Sequence, residues 1–438
     1  MLLDEKAAVQ MRDVARQIFR DALAQSSVTA AFEQHVEYES GVLRICDDLY
    51  HLDAYSRVLA VAIGKAAHTM AEALVQQLGA RVAGFIASSV NPPERLAQFV
   101  YFHGGHPLPN EDSVRAATAI QSVLETLDEN SLVIFLMSGG GSATLEHPIF
   151  GQISLDDLIA TYQALVHSGA PIAEINAIRK HLSAVKGGRL AQAAYPAQQV
   201  SIMVSDVPEG QLDALASGPT MPDSSTVNQC YDIVQRYNLL PKLPASVRVV
   251  FEQKLLQETP KAGDAAFVRA RWWPILSSGI TAKSAAAAAA TQGFAVEIDN
   301  TCDDWDHARA AEHLLGRLRK LRQGASKVCL ISAGEVTVKV EDTGGVGGRN
   351  QHFALYCAEK ISGENVTVLS AGTDGIDGNS SAAGGIVDGT TVERAGREAV
   401  REALRTFNSG ALFERLGDAV VTGPTGNNLR DLRVLLAY

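Results

Sequence analysis

Short, unbroken apolar runs alternate along this chain with longer stretches whose apolar positions recur every three or four residues. Residues 4–23 interleave apolar and charged side chains at helical spacing and predict an amphipathic helix. Val58 to Ile63 is a strand-sized apolar run that ends at Gly64-Lys65-Ala66-Ala67, and helical spacing resumes from His68 to Leu78. Further strands are predicted at 82–87, 98–102 and 132–136, with a helix over 111–127 between the last two. Ser154-Leu155-Asp156-Asp157 forms a capping box that opens a helix, and Gly169 closes it. Residues 172–194 read as one more helix, and 199–204 as a strand stopping at Ser205-Asp206-Val207-Pro208. Alternation of this kind predicts an α/β fold with a largely parallel sheet.

Two prolines interrupt the pattern at Leu239-Leu240-Pro241-Lys242-Leu243-Pro244 and mark the expected domain boundary. Beyond it the sequence predicts a strand ending at Leu276-Ser277, an Ala-rich helix over 284–291, and strands at 327–332, 336–340 and 366–370. A last strand begins at Ala419 and runs into the polar turn ending at Asn428. The six consecutive alanines from Ala285 to Ala290 suit a helix packed closely on a sheet.

With 438 residues, the chain exceeds one ordinary core, and two domains are expected. Its 46% hydrophobic and 20% charged residues describe a globular protein. A formal net charge of −11 argues against nucleic-acid partners and against anionic membranes. Apolar runs are strand-sized, so no membrane span is expected. The start Met1-Leu2-Leu3-Asp4-Glu5-Lys6 meets charge at once, and the expected location is cytoplasmic. Five scattered cysteines with no CxxC pair fit a reducing compartment and offer no zinc site.

Candidate chemistry lies where strands end. Ser138-Gly139-Gly140-Gly141-Ser142 follows a buried strand, and glycines there let an oxygen-rich ligand reach backbone N–H groups. Glycine-rich loops recur at Gly344-Gly345-Val346-Gly347-Gly348-Arg349 and Gly372-Thr373-Asp374-Gly375-Ile376-Asp377-Gly378. Lys65, Asp206, Asp374 and Asp377 stand at similar positions, the acids as carboxylates delivered by strand ends. Arg179, Ser183 and Lys186 fall at i, i+4 and i+7 of the predicted helix and would form a basic stripe for a carboxylate or phosphate. Strand-end acids also cap helices, and a basic stripe is also an ordinary solvated face. His181 is expected to be a satisfied, partly buried histidine, and His103 and His106 to belong to a turn. The chain has no GxxxxGK[ST], no GxGxxG after a strand, no GxSxG elbow and no protein-kinase signature set.

Together these segments resemble the type II glycerate 2-kinase family, the MOFRL family, some of whose members carry the name hydroxypyruvate reductase. The resemblance rests on Gly64–Ala67, Gly105-His106-Pro107-Leu108-Pro109, Ser138–Ala143, Ile178–Leu190, Val204–Pro208, Ala216–Thr220, Gly347-Gly348-Arg349-Asn350-Gln351 and Gly372–Gly378, in the family's order. It implies a Rossmann-like parallel-sheet N-terminal domain over 1–240, with 408–438 returning to it, and a second α/β (MOFRL) domain over 245–407. It also implies an active site in the interdomain cleft, with Gly423–Asn428 beside Ser138–Ser142. The implied reaction is ATP- and Mg²⁺-dependent phosphorylation of D-glycerate at the 2-hydroxyl. Lys65 and Arg349 are the implied catalytic pair; Ser138–Ser142, Arg179, Lys186 and Asn350 would bind substrate or phosphate; Asp206 and Asp374 would hold the metal. D-glycerate and ATP are then the small-molecule partners, and a homodimer is admitted. The chain departs from the family pattern where Asn427 replaces a threonine, Arg430 an asparagine, and Asn379-Ser380-Ser381 the commoner Pro-Thr-Asp. Two other readings stand beside this one, an NAD(P)H-dependent hydroxypyruvate reductase and a non-catalytic sugar-acid or phosphosugar-binding module.

Overall fold

A computed structural model describes residues 5–208, 210–340 and 344–438. The start of the predicted N-terminal helix, Asp4, lies outside the described residues; the helix itself runs Glu5–Gln25. The chain divides into two compact units, residues 31–275 and residues 1–30 with 276–438.

The first unit opens with a small antiparallel sheet of β1 (Val36–Glu39), β2 (Val42–Ile45) and β3 (Asp48–His51). Its main sheet contains β4 (Arg57–Ile63), β5 (Ala83–Ser88), β6 (Phe99–His103), β7 (Ser131–Ser138), β8 (Gln198–Val204) and β9 (Ala270–Leu276), in the spatial order β6-β5-β4-β7-β8-β9. The pairings β5–β6, β4–β5, β4–β7 and β7–β8 are all parallel. This is the doubly wound order, with its switch point between β4 and β7. Every residue of β7 is buried, which explains a continuous apolar run in place of alternation. Helices Glu111–Leu124 and Arg189–Ala194 cover one face, their Ile120, Leu124, Leu190 and Ala194 packing with Val61, Val133 and Phe135. A helical annex from Ile153 to Leu256 has its own core.

The second unit holds β10 (Ala295–Ile298), β11 (Val328–Ala333), β12 (Val366–Gly372), β13 (Gly384–Asp388), β14 (Ala419–Val420) and β15 (Asp431–Ala437) in the order β10-β11-β15-β12-β13-β14. Only β10–β11 is parallel; β15 runs antiparallel to both β11 and β12. Helices Glu5–Gln25 and Ser278–Thr291 cover one face, and His307–Arg322 and Arg349–Lys360 the other. Ala282, Ala285 and Ala289 are fully buried, so the alanine run does lie close on the sheet.

Four expectations are corrected. The boundary falls after Ile275 and not near Pro241, because the helices on either side of that proline segment share one core. Residues 408–438 do not return to the first unit: β15 is a wholly buried inner strand of the second sheet, and the N-terminal helix packs there too. The predicted strand at 336–340 makes only an isolated bridge, Thr337 with Asp306. The predicted helix over 172–194 is two helices, Ile172–Leu182 and Arg189–Ala194, because the chain turns extended at Ser183 (φ −108°, ψ 139°) and Gly187 and Gly188, at φ of +57° and +85°, start it afresh.

Candidate active site

The switch point of the first sheet brings two loops side by side. Gly64, at φ +107°, follows β4, and a Cβ on it would stand 2.6 Å from Ser138 Oγ at the end of β7. Ser138 Oγ accepts from Ala66 N at 3.0 Å and donates to the Ile63 carbonyl at 3.2 Å, while Lys65 N donates to the Gly139 carbonyl at 2.9 Å. Ser138 is thus a buried tie between loops, and the exposed Lys65 side chain is carried above it. Lys65 and His106 both stand over Gly140, where a Cβ would lie 3.2 Å from Lys65 Cγ and 3.1 Å from His106 Cδ2. Burial, then the Lys65 charge, lowers the His106 pKa and favours neutral imidazole. Asp206, at the end of β8, lies so close to Gly139 that any β-carbon there would overlap its carboxylate. Gly140 at φ +82° starts the turn Gly141–Thr144, whose leading N–H groups have no acceptor within the turn. Ser142 Oγ lies 2.8 Å from Ser217 Oγ. Lys65, Gly139–Ser142, Asp206 and His106 therefore share one corner of the first unit.

The basic stripe is different. Lys186 lies beyond the end of helix Ile172–Leu182 and is fully buried against Glu146, with which it pairs. Glu146 also accepts from Tyr162 Oη at 2.5 Å, Ser183 Oγ at 2.6 Å and His147 N at 2.9 Å. Burial lowers the Lys186 pKa against the pull of Glu146. Arg179 stacks over the Tyr162 ring at 4.8 Å, and Lys180 pairs with Asp213 at 3.0 Å and Asp223 at 3.1 Å. Lys186, expected as a phosphate contact, is a core cation whose partner is already supplied. His181 is buried, its Nδ1 2.8 Å from the Ala177 carbonyl.

In the second unit, Arg349 is the first residue of helix Arg349–Lys360. Its Nε donates to Asp431 Oδ2 at 2.6 Å and its NH2 to Asp431 Oδ1 at 3.1 Å, while Glu335 Oε1 lies 2.7 Å from NH2. Burial works against this charge, but the two carboxylates hold the pKa above its ordinary value, so Arg349 stays cationic. Asn350, expected at a ligand, is buried: its amide donates to Asp377 at 3.3 Å and its Oδ1 accepts from Ser370 Oγ at 2.7 Å. Asp377 accepts from Asn350 N at 3.0 Å and Gln351 N at 2.7 Å, serving as the cap of this helix. Its pKa is raised to about 6, chiefly by burial. Asp374 uses Oδ1 to accept from Ile376 N at 3.1 Å. Arg430 has φ +69°, a conformation asparagine tolerates better, and pairs with Asp303 at 2.5 Å. The Gly423–Asn428 turn belongs to this unit too, since Thr425 N donates to the Asp374 carbonyl at 3.1 Å.

Arg349, Glu335 and Asp374 line a cavity of about 1040 Å³ within the second unit. Sequence reasoning missed Glu335 and the pairing role of Asp431. The signal for Glu335 was present: it follows Ser332-Ala333-Gly334 at a strand end, as Asp374 follows Gly372. Among the described residues, no group of three or more His, Cys, Asp or Glu is arranged to hold a metal ion, and no helix is long and apolar enough to cross a membrane.

Comparison with known proteins finds residues 14–252 matching a domain of unknown function (DUF4147) and residues 328–431 matching the MOFRL family. The chain is 37% identical over 385 residues to a D-glycerate 2-kinase of Thermotoga maritima, spanning 86% of this chain and 89% of that one. It is 36% identical over 391 residues to a putative hydroxypyruvate reductase of Agrobacterium vitis, spanning 87% of each. A solved glycerate kinase structure from Thermotoga maritima superposes with a TM-score of 0.85 at 32% identity, covering 98% of this chain and 100% of that one.

Proposed function

Since the chain belongs to the family that joins a DUF4147 module to a MOFRL module, glycerate 2-kinases among its members, we propose that it transfers the γ-phosphoryl group of ATP to the 2-hydroxyl of D-glycerate. The observation that carries this reading is the 37% identity to a D-glycerate 2-kinase across both modules. Phosphoryl transfer asks the protein for positioning and charge neutralisation more than for covalent chemistry. In this reading Lys65 and Arg349 each bring a cation to the transferring group. The N–H groups opening the Gly141–Thr144 turn hold the acceptor carboxylate or a phosphate oxygen. Arg179 has its guanidinium stacked on Tyr162, so its part is to hold the packing around the buried Lys186–Glu146 pair.

Mg²⁺ would neutralise charge between phosphate oxygens when bound. Asp374 suits it as a hard oxygen donor with only one carboxylate oxygen committed to its own turn, and Asp206 is the second candidate. Either carboxylate would hold the ion directly or through water. The reading places the enzyme in the cytoplasm with D-glycerate and ATP as its small-molecule partners.

The name carried by the Agrobacterium relative favours a second reading, reduction of hydroxypyruvate. In a doubly wound sheet the first strand–helix turn carries the dinucleotide fingerprint, and here that turn reads Gly64-Lys65-Ala66-Ala67. A coupled assay for ADP with D-glycerate, with phosphorus NMR of the product, is expected to give 2-phosphoglycerate. NAD(P)H oxidation by hydroxypyruvate without ADP release would replace the kinase with the reductase.

A further inference from the structure

Of the two carboxylates that grip Arg349, one is itself held by a second arginine. Glu335, whose Oε1 lies 2.7 Å from Arg349 Nη2, sits just after β11 in a loop tied to Asp303. Glu335 N donates to Asp303 Oδ1 at 2.9 Å, and Asp304 N donates to the Glu335 carbonyl at 2.8 Å. Asp303 Oδ2 accepts from Arg430 Nη1 at 2.5 Å, and Arg430 Nη2 donates to Asp304 Oδ1 at 3.3 Å. Arg430 Nε stands 3.9 Å from Glu335 Oε1, so that oxygen lies between two guanidinium groups, Arg349 on the cavity wall and the buried Arg430. Burial raises the Glu335 pKa; Arg349 opposes the rise, Asp431 adds to it, and Arg430 opposes it again.

Residue 430 divides its contacts between two loops. Its carbonyl accepts from Thr373 N at 2.9 Å and Thr373 Oγ1 at 2.7 Å, beside Asp374, while its side chain serves the loop of Glu335. At φ +69° the backbone suits asparagine better than arginine, so a cation stands there against local preference. Such strain persists where the surroundings over-determine the residue, and here the surroundings are three acids.

We propose that Arg430 is a positioning residue for Arg349: paired with Asp303, it holds the Glu335 carboxylate in the place where that carboxylate grips Nη2. Without it, Asp303, Asp304 and Glu335 repel one another, and Glu335 shifts from its seat. Arg349 then keeps Asp431 alone and loses the second hold on its guanidinium plane. A displacement of an ångström at a group that meets the transferring phosphoryl lowers the rate without changing how substrate binds elsewhere. The proposal rests on the kinase reading for the part Arg349 plays and adds what sets its geometry.

Turnover of full-length variants with D-glycerate, ATP and MgCl₂ tests it. Arg430→Asn is expected to lower kcat about tenfold, with KM for D-glycerate unchanged within about twofold. Arg430→Lys keeps the charge and loses the fork, and should lower kcat only about threefold. A backbone role alone reverses that order, because asparagine suits φ +69° better than lysine does; Arg430→Asn equal to or above Arg430→Lys in kcat overturns the proposal. In a Glu335→Gln background Arg430→Asn should cost no further kcat, and a full tenfold loss there also overturns it. Should Arg430→Asn not fold, Asp303→Asn weakens the same pair with Arg430 in place and is expected to lower kcat about threefold; unchanged kcat counts against the proposal in the same way.

A readout free of turnover is phenylglyoxal labelling of Arg349 with peptide mapping. Labelling about threefold faster in Arg430→Asn than in wild type is expected, since a guanidinium released by a carboxylate is easier to attack; an unchanged rate overturns the positioning. ADP release by the wild-type protein judges the kinase reading separately. Faster labelling without release sinks the acceptor alone, and release with unchanged labelling sinks the positioning alone.

Discussion

Lys186 and Arg349 are both cations gripped by carboxylates, and the contrast between them separates architecture from chemistry. Lys186 and Glu146 are 1% and 0% exposed, and Tyr162, Ser183 and the His147 amide take up the remaining capacity of Glu146. Arg349 is held from one side by Asp431 and Glu335, stays 37% exposed and lines a cavity. Burial drags the Lys186 pKa down, whereas carboxylates keep that of Arg349 up. A cation buried with a saturated partner fixes shape; a cation anchored along one edge keeps its other edge for an incoming anion.

If that contrast is right, the two respond to substitution in different currencies. Lys186→Met strands a buried carboxylate and is expected to cost about 3–5 kcal/mol in urea denaturation. Removing Glu146 as well, in Lys186→Met/Glu146→Leu, should recover part of that loss, since no orphaned charge remains. Arg349→Ala is expected to lower kcat by about 10³. Its stability loss should be smaller than that of Lys186→Met, because Arg433 lies 3.7 Å from Asp431 and still offsets its charge. Arg349→Lys keeps the charge but loses the bidentate fork, and kcat should fall by about 10² with near-normal stability. A Lys186→Met protein of normal stability and lost turnover would reverse the assignment of the two.

The parallel sheet was legible because β4, β7 and β8 are buried on both faces and read as apolar runs followed by glycine, serine or acid. The same signals located Lys65, Ser138–Ser142 and Asp206, which share one corner of the first unit. The return of the tail to the first unit was taken from the resemblance, and the residue pattern beyond Asn428 supplied no strand to set against it. β15, Asp431–Ala437, carries Arg433 in its middle, and that arginine is wholly buried, stacked on Phe353 at 4.9 Å and donating to the Gly334 carbonyl at 3.0 Å. A charged residue inside the run hides an inner strand from any reading based on apolar pattern. Lys186 was misplaced because helical spacing was carried on from Arg179 past Ser183, where the helix has already ended. Asn350 follows Arg349 in sequence, yet helical geometry turns it into the core toward Asp377 and Ser370. Adjacency in a motif does not give adjacency in a site.

Asp377 offers the finest test, because it launches the helix that presents Arg349. Its carboxyl has a pKa of about 6 in the folded protein against the ordinary 3.8, so the native state holds this proton more tightly than the unfolded chain does. The stability gained from that proton is complete below pH about 3.8 and is lost as pH rises through about 6. His352 runs the other way: its folded pKa of about 4 lies below the ordinary 6.5, so its contribution is present above that value and lost as pH falls through about 4. The two offset each other in the wild-type protein, and only the difference against Asp377→Asn isolates the carboxyl. Asparagine keeps one acceptor for the helix N–H groups and loses the other, a cost that does not vary with pH. Relative to wild type, Asp377→Asn should gain roughly 1–3 kcal/mol between pH 4 and pH 7. Urea unfolding of both proteins at the two pH values measures it. A difference that stays flat would mean that Asp377 titrates as an ordinary carboxylate, and that the helix start carrying Arg349 is more open to water than its buried contacts indicate.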